Sequence, residues 1–385
     1  MAAADVGHPL DGDGPALADV LPAVAVSLGV PTPADRPTPR IELAPTRRAV
    51  TVLVDGLGHD LLVRRAGHAP FLRSLLASTR RVPAGFPSTT ATSMGTFGTG
   101  LAAGQHGMVG YEVLVPGEDR LLNELSWEDG PDPFRWQPHE TVFERVDRAG
   151  VPVTRLGPAF FDGSGLTNAA LRGGRFVAAD SLAKRVDATL AAVRATPRAL
   201  VHLYWGDLDK VGHVFGCDSW QWGDELEAVD RELARLAASL PRDCSLTITA
   251  DHGMVDVPLH DRVDVADDSR LSTGARHVSV EFRAPQVWTE PGATEDVRAA
   301  WAEVLGDRAR VATREEAVAA GWFGVVHPEN LPRIGDLVVV THGTFAVADS
   351  RRARPELLAL IGLHGSLSAD EVAVPVVHVD AADVA

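Results

Sequence analysis

Continuous apolar runs rich in β-branched residues constrain the fold of this chain more than any other feature of its sequence. Each run has the length of a strand but lacks the alternation of polar and apolar residues that marks a half-exposed strand. Such runs are typical of strands buried on both faces. They are Ala49–Val54, Ala199–Trp205, Leu246–Ala250 and Asp336–Thr341.

Amphipathic stretches with helical spacing, such as Ser181–Ala195 and Trp222–Leu240, lie between these runs. Strands that alternate with helices build βαβ units, in which a parallel sheet is covered by helices on both sides. We therefore predict an α/β fold with a mostly parallel central sheet.

Two parts of the 385-residue chain depart from this rhythm. Residues 1–40 are rich in Asp, Pro, Ala and Gly, with one weak helical stretch at Ala16–Leu28, and we expect a lead-in segment on the surface. Residues 41–385 are then expected to form the main domain. Within it, residues 257–333 are predicted to be an insertion that caps the carboxyl edge of the sheet. This insertion should contain a strand at His277–Phe282 and a helix at Glu295–Leu305.

The overall charge narrows the classes of molecule that the protein is expected to bind. Lys and Arg number 36 against 52 Asp and Glu, for a formal net charge of −16, which disfavours non-specific binding to nucleic acid or to acidic membranes.

Cys217 and Cys244 are too few for a disulfide framework. The first residues lack the pattern of a signal peptide, and no stretch is apolar enough to span a bilayer. We expect a cytoplasmic protein without a nucleic-acid or membrane partner, and the sequence leaves its oligomeric state open.

Polar residues that could bind metal follow three of the predicted strands. They are Asp55, then Asp207 and Asp209, then Asp251 and His252. A single Asp after a strand is more often a helix cap. Three strand ends that deliver such residues to one cleft indicate a ligand site, because ligands bind at the carboxyl edge of open α/β sheets.

The spacing of two of these groups suits metal binding. His213 follows Asp209 by four residues, which puts both side chains on one side of a helical turn. Asp251 and His252 are adjacent, and Gly253 after them permits a sharp turn. Mixed carboxylate and imidazole ligands suit zinc, with manganese or iron also possible.

Several residues with hydroxyl side chains lie close together after Pro87. Ser88, Thr89, Thr90, Thr92 and Ser93 fall within one predicted turn. One interpretation is the cap and first turn of a helix that runs to about Gly98. The other is a nucleophile at a helix N-terminus, where free N–H groups stabilise an alkoxide and an incoming phosphate. Both can hold, with one hydroxyl capping the helix and another attacking.

Six short motifs, in their order and spacing, resemble the alkaline phosphatase superfamily, and in particular its nucleotide pyrophosphatase/phosphodiesterase branch. The motifs are Val52–Gly56, Phe86–Thr90, Gly104–Gly107, Asp209–His213, Ala250–Met254 and Gly362–Ser366. The resemblance implies a three-layer α/β sandwich and two divalent metal ions, with zinc the best match. One ion would be held by Asp209, His213 and His364, and the other by Asp55, Asp251, His252 and the oxygen of Thr90. The resemblance also makes Thr90, rather than Ser88 or Thr89, the nucleophile.

The chain departs from the family at one position. Family phosphodiesterases carry an Asn soon after the His-Gly motif, where it donates to a phosphate oxygen, and Tyr111 occupies that position here. Tyr111 is therefore a candidate substrate-binding residue. His277 is a second candidate, either for contact with the phosphate or as a competitor of His364 for the metal. It could equally be a packed histidine at the start of a strand.

The resemblance implies hydrolysis of a small phosphate ester or nucleotide through a phosphothreonine, as a phosphodiesterase or nucleotide pyrophosphatase. The same core could support a phosphomonoesterase, a phosphonate hydrolase or a mutase. A catalytically silent metal-stabilised binding protein is the alternative from another class. A sulfatase is disfavoured, because no Cys- or Ser-x-Pro-x-Arg run lies at the nucleophile turn.

Overall fold

The apolar runs after residues 48, 198 and 243 form three adjacent strands at the centre of one sheet in the computed structural model, which describes residues 14–380. The strands are β1 (Arg48–Val54), β2 (Arg80–Pro83), β3 (Glu112–Leu114), β4 (Leu121–Asn123), β5 (Val153–Gly157), β6 (Arg175–Ala178), β7 (Ala199–Trp205), β8 (Cys244–Thr249), β9 (Val255–Asp256), β10 (Arg262–Asp264), β11 (Ala275–Val278), β12 (Gln286–Thr289), β13 (Ala309–Thr313), β14 (Leu337–Thr341), β15 (Ala346–Ala348), β16 (Gly362–Leu363) and β17 (Ala373–Val379).

The helices are α1 (Leu17–Ser27), α2 (His59–Arg64), α3 (Pro70–Leu75), α4 (Thr90–Thr99), α5 (Ala103–His106), α6 (Pro133–Trp136), α7 (Val142–Arg148), α8 (Gly165–Ala170), α9 (Leu182–Arg194), α10 (Asp207–Phe215), α11 (Trp220–Ser239), α12 (Ser269–Ser272), α13 (Thr294–Leu305), α14 (Arg314–Ala319), α15 (Pro355–Leu358) and α16 (Ala369–Val372). Within the described ranges, none of them is both long and apolar enough to cross a bilayer.

The central sheet has seven strands in the order β2-β17-β8-β1-β7-β5-β6. Strands β6, β5, β7, β1 and β8 run parallel to one another, whereas β17 is antiparallel to both β8 and β2. The inner strands β1 and β8 are buried almost throughout, as expected for a parallel sheet covered on both faces. The prediction of an α/β fold with a mostly parallel central sheet is confirmed.

The run that ends at Thr341 does not belong to this sheet, and its predicted place there was wrong. It forms β14 of a second, antiparallel sheet with the order β11-β12-β14-β13. This strand is fully buried because its sheet has an apolar core of its own, in which Trp301 of α13 packs with Val287 and Val339. Burial on both faces therefore produced the same pattern in an antiparallel strand. The second sheet also extends beyond residue 333, the predicted end of the insertion.

The strand predicted at His277–Phe282 begins and ends earlier, as β11. The chain turns after Val278, and the N–H of Ala284 donates to the carbonyl of Glu281 at 3.1 Å. Pro285 then precedes β12. The apolar residues of this stretch suggested a continuous strand, but the chain forms a tight turn there. This turn reaches the functional site.

The helix predicted within the lead-in is present as α1, but it is not a surface element. Leu17, Val20, Leu21 and Val24 are buried in the main core, and α1 packs against α4. Residues 1–13 of the predicted lead-in lie outside the described residues. Cys217 and Cys244 are buried free thiols, as expected.

Candidate active site

Three neighbouring parallel strands deliver acidic side chains to one edge of the central sheet. Strand β1 lies between β7 and β8. Asp55 follows β1, Asp251 follows β8, and Asp209 lies in the first turn of α10 after β7. Because parallel strands end at the same edge, side chains far apart in the sequence lie side by side here.

Cluster A consists of Asp209, His213 and His364, whose ligand atoms all lie within 4.8 Å of one another. On α10, His213 Nε2 is 3.3 Å from Asp209 Oδ2. His213 Nδ1 is hydrogen-bonded to the carbonyl of Gly362 at 2.7 Å, and His364 Nδ1 to the carbonyl of Ser88 at 2.8 Å. A carbonyl can only accept, so each Nδ1 carries a proton, and Nε2 is the nitrogen that can bind a metal once the ring is neutral.

Cluster B consists of Asp55, Asp251 and His252, also within 4.8 Å. His252 Nε2 is 3.4 Å from Asp55 Oδ1 and 3.5 Å from Asp251 Oδ2. The other oxygen of each carboxylate is held by the protein. Asp251 Oδ1 accepts the N–H of Gly56 at 3.1 Å, and Asp55 Oδ2 accepts the hydroxyl of Tyr204. One oxygen of each carboxylate therefore faces the centre of the cluster.

Several of the oxygens in the two clusters have no hydrogen-bond partner in the described part of the chain. Asp55 Oδ1, Asp209 Oδ1 and Asp251 Oδ2 are buried and accept no hydrogen bond from any residue between 14 and 380. Burial, followed by the charges of Asp251 and Asp209, raises the pKa of Asp55 well above its ordinary value. Burial and Asp209 raise the pKa of Asp251 to about 7. Buried carboxylates without partners are costly, and a bound cation removes that cost.

The carboxylate of Asp209 and the imidazole of His213 in cluster A attract each other strongly. Burial disfavours the charged form of both groups, but their mutual attraction outweighs this effect. The pKa of Asp209 is lowered, and that of His213 is raised to about 9. The pKa of His364 falls well below its ordinary value because of burial and the neighbouring His252 and His213. Two sets of Asp and His ligands with unpartnered oxygens fit two zinc-like ions.

Thr90 is the hydroxyl residue that the fold brings to these clusters. It is the first residue of α4, after Thr89 at the N-cap, and its Oγ1 lies 3.2 Å from His252 Nε2. Ser88 plays a different part, because its hydroxyl donates to the carbonyl of Ser366 and accepts the N–H of Gly365. Ser88 therefore fixes the loop that carries His364.

Two glycines allow the loops to come this close. Gly56 has φ +73°, and a Cβ there would lie 3.1 Å from the Cβ of Asp209. Gly58 faces Gly253, and a Cβ on it would lie 2.6 Å from the Gly253 Cα. Larger residues at either position would push the loop after β1 away from the ligands.

The two predicted substrate residues lie outside both clusters. Tyr111 is half-buried, with its phenol near the side chain of Asn123, and its N–H donates to Glu281 Oε2 at 3.1 Å. His277 lies on β11, where its Nε2 is hydrogen-bonded to Asp119 Oδ1 at 2.5 Å. A contact of either side chain with substrate stays a prediction.

Sequence reasoning missed two residues of this region. Tyr204 donates to a carboxylate of cluster B, and its hydroxyl near the end of a mostly apolar strand was a usable signal. Glu281 lies at the turn after β11 and contacts the nucleophile turn. A charged residue between Val280 and Phe282 was a signal as well, but nothing in the sequence indicated which segment it would meet.

Comparison with known proteins identifies the family. The sequence model of the family "Type I phosphodiesterase / nucleotide pyrophosphatase" matches residues 49–367. A Schizosaccharomyces pombe protein described as an uncharacterized pyrophosphatase/phosphodiesterase is 26% identical over 220 residues, which are 53% of this chain and 44% of that protein. Mouse ectonucleotide pyrophosphatase/phosphodiesterase family member 7 is 39% identical over 64 residues, 15% of each chain. The chain thus spans less than half the length of the curated relatives it matches.

Solved structures share the fold. Murine ectonucleotide pyrophosphatase/phosphodiesterase 5 superposes with a TM-score of 0.68 at 20% identity, covering 85% of this chain and 87% of that one. Phosphonoacetate hydrolase from Sinorhizobium meliloti 1021 gives a TM-score of 0.65 at 19% identity, covering 86% and 90%. The family match spans most of the chain and includes all residues of clusters A and B. The chain belongs to the type I phosphodiesterase / nucleotide pyrophosphatase family, within the alkaline phosphatase superfamily.

Proposed function

We propose that this protein is a phosphodiesterase or nucleotide pyrophosphatase that works through a covalent ester on Thr90. Clusters A and B would each hold one divalent ion, zinc by the chemistry of the ligands, with manganese or iron as alternatives. The observation that carries the proposal is the position of Thr90, whose Oγ1 lies 3.2 Å from a ligand nitrogen of cluster B at the N-terminus of α4.

The ions would supply charge neutralisation at both the attacking and the leaving oxygen and would lower the pKa of the Thr90 hydroxyl. The chain supplies the rest. The first N–H groups of α4 have no partners within the helix and can bind phosphate oxygens. Imidazoles fixed through Nδ1, and carboxylates fixed through one oxygen, keep the site in place before substrate arrives.

The reaction proceeds by two in-line displacements. The Thr90 hydroxyl gives its proton to solvent, its oxygen attacks phosphorus, and the bond from phosphorus to the leaving oxygen breaks. The leaving alcohol or phosphate takes up a proton from solvent. Water then attacks the same phosphorus from the opposite side, and the bond to Thr90 breaks, which regenerates the hydroxyl.

The substrate we propose is a small phosphate ester or nucleotide. An inactive variant of murine ectonucleotide pyrophosphatase/phosphodiesterase 5 forms a complex with AMP, which supports a nucleotide in the same family. Phosphonate hydrolysis is the second candidate, favoured by the comparable fold similarity to phosphonoacetate hydrolase. A monoesterase or a mutase would use the same core.

A substrate panel with metal analysis tests this proposal. Protein purified without chelator should contain two zinc-like ions per chain by elemental analysis. It should hydrolyse bis-p-nitrophenyl phosphate or a dinucleoside polyphosphate faster than phosphonoacetate. Undiminished hydrolysis by metal-free protein would exclude the two-metal mechanism. If the protein hydrolysed phosphonoacetate but none of the phosphate esters, the assignment as a diesterase would give way to that of a phosphonate hydrolase.

A further inference from the structure

Glu281 connects the second sheet to the nucleophile turn. It lies in the turn between β11 and β12, and its Oε2 accepts the N–H of Tyr111 at 3.1 Å. The hydroxyl of Thr89, next to the nucleophile, lies beside its carboxyl and favours the charged form. On the third side is Gly365, next to the ligand His364, where an added Cβ would lie 3.3 Å from Glu281 Oε1.

The second oxygen of this carboxyl lacks a hydrogen-bond partner among residues 14–380. Glu281 is only 4% exposed, and within the described chain its Oε1 has no hydrogen-bond partner of good geometry. Burial raises the pKa of Glu281 to about 8, and the nearby Glu124 and Glu112 add to this. Cations bound in clusters A and B would favour the charged form instead. A buried carboxyl with one unpartnered oxygen therefore lies against Thr89 and Gly365, the neighbours of the nucleophile Thr90 and of the ligand His364.

The same place lacks the amide donor of related phosphodiesterases. Tyr111 occupies that sequence position, but its phenol lies near Asn123 and its N–H donates to Glu281. An amide is neutral and donates to a phosphate oxygen, whereas a carboxylate repels one. A carboxylate in place of an amide does not affect all phosphate esters equally. A monoester carries about two negative charges at neutral pH, whereas a diester carries one.

We propose that Glu281 is a specificity-determining residue that favours singly charged diesters by repelling the second charge of phosphate monoesters. This inference rests on the proposed hydrolase function and deepens it. In a buried site, repulsion between like charges is poorly screened by water and salt. The carboxyl is also held by the N–H of Tyr111, so it does not swing away when a monoester binds.

The test compares kcat/KM for bis-p-nitrophenyl phosphate and p-nitrophenyl phosphate in the metal-loaded protein at about pH 9. Glu281→Gln keeps an acceptor for the N–H of Tyr111 but removes the charge. We expect the ratio of diester to monoester kcat/KM to fall by at least about tenfold, chiefly through faster monoester hydrolysis.

Glu112→Gln is the matched control. Glu112 is half-buried nearby and accepts the N–H of Val280 at 2.9 Å, so its loss removes one charge from the same region without touching the nucleophile turn. We expect its ratio to stay within about threefold of wild type. An unchanged ratio in Glu281→Gln, or an equal change in Glu112→Gln, would overturn the assignment.

Two further outcomes are informative. If Glu281→Gln does not fold, Glu281→Asp is the substitute, because its shorter side chain keeps the charge but moves it away from the nucleophile turn. The ratio of diester to monoester kcat/KM should then fall by a smaller factor than the roughly tenfold one expected for Glu281→Gln. A folded Glu281→Asp with the wild-type ratio would also overturn the proposal. Wild-type protein that hydrolyses neither ester would refute the proposed function itself, and the role of Glu281 with it.

Discussion

His213, His252 and His364 each use Nδ1 to bind a backbone carbonyl and so direct Nε2 into the site. The rings of His252 and His364 stack with centroids 3.7 Å apart, which joins clusters A and B. Such an arrangement fixes both the tautomer and the direction of each ligand. His277 has no comparable geometry, because its Nε2 is committed to Asp119.

We therefore expect His364→Ala to lose metal and His277→Ala to keep it. Removing a ligand leaves the ion in an incomplete shell, so affinity should fall by about 10- to 100-fold or more. His277→Ala removes only a hydrogen bond to a mostly exposed Asp119. Elemental analysis after dialysis against a weak chelator measures both. Metal retained in His364→Ala and lost in His277→Ala would reverse the ligand assignment.

At the scale of elements, a buried ion pair connects the second sheet to the ligand loops. Arg283 donates to both carboxylate oxygens of Glu371, at 3.1 and 2.7 Å, and both side chains are fully buried. Glu371 also accepts the N–H of Ser366, and its carbonyl accepts the N–H of Gly253. The loops that carry His364 and His252 therefore share one anchor in α16.

We predict that Arg283→Met destabilises the protein by about 3–5 kcal/mol, because Glu371 would be left buried and unpaired. Urea unfolding of the metal-free protein, followed by circular dichroism, measures this change. Glu303→Gln is the control, since its pair with Arg270 is exposed and should contribute about 1 kcal/mol or less. A wild-type unfolding midpoint for Arg283→Met would show that the pair does not anchor the loops.

The sequence predicted those parts of the structure that depend on local pattern. Buried runs identified β1, β7 and β8, and the polar residues after them identified Asp55, Asp209 and Asp251. It failed where the pattern was ambiguous. The run ending at Thr341 is buried in either kind of sheet, and only pairing decides which. Long-range contacts such as that between Glu281 and Tyr111 have no local signature.

At the scale of the whole molecule, the site makes stability depend on pH. Asp251 has an ordinary pKa of 3.8 and a folded pKa of about 7, so its protonated form is the one favoured in the folded state. Its contribution is complete below about pH 4 and is lost as the pH rises through 7. His213, with a folded pKa of about 9, contributes below its ordinary value of 6.5 and loses this as the pH rises through 9.

Both effects have the same sign. The lowered pKa values of His106, His202 and His364 act in the opposite sense, but only below about pH 6.5, so the metal-free protein should become less stable between about pH 7 and pH 9. We expect its Tm to fall by about 2–5 °C or more over that range. Zinc replaces the protons, so the rise in Tm on adding zinc should be larger at pH 8 than at pH 6. Differential scanning calorimetry with and without zinc measures this difference. A metal-free Tm that increases steadily to pH 9 would contradict the charge arrangement described for the two clusters.

The most direct test of the proposed mechanism is the covalent state of Thr90 during turnover. Protein quenched in acid while hydrolysing bis-p-nitrophenyl phosphate can be digested and analysed by mass spectrometry. We predict a p-nitrophenyl phosphoryl group on Thr90, and a Thr90→Ala variant that binds two ions but turns over at least about a thousandfold more slowly. An adduct on Ser88 or Thr89, or wild-type turnover by Thr90→Ala, would contradict the mechanism.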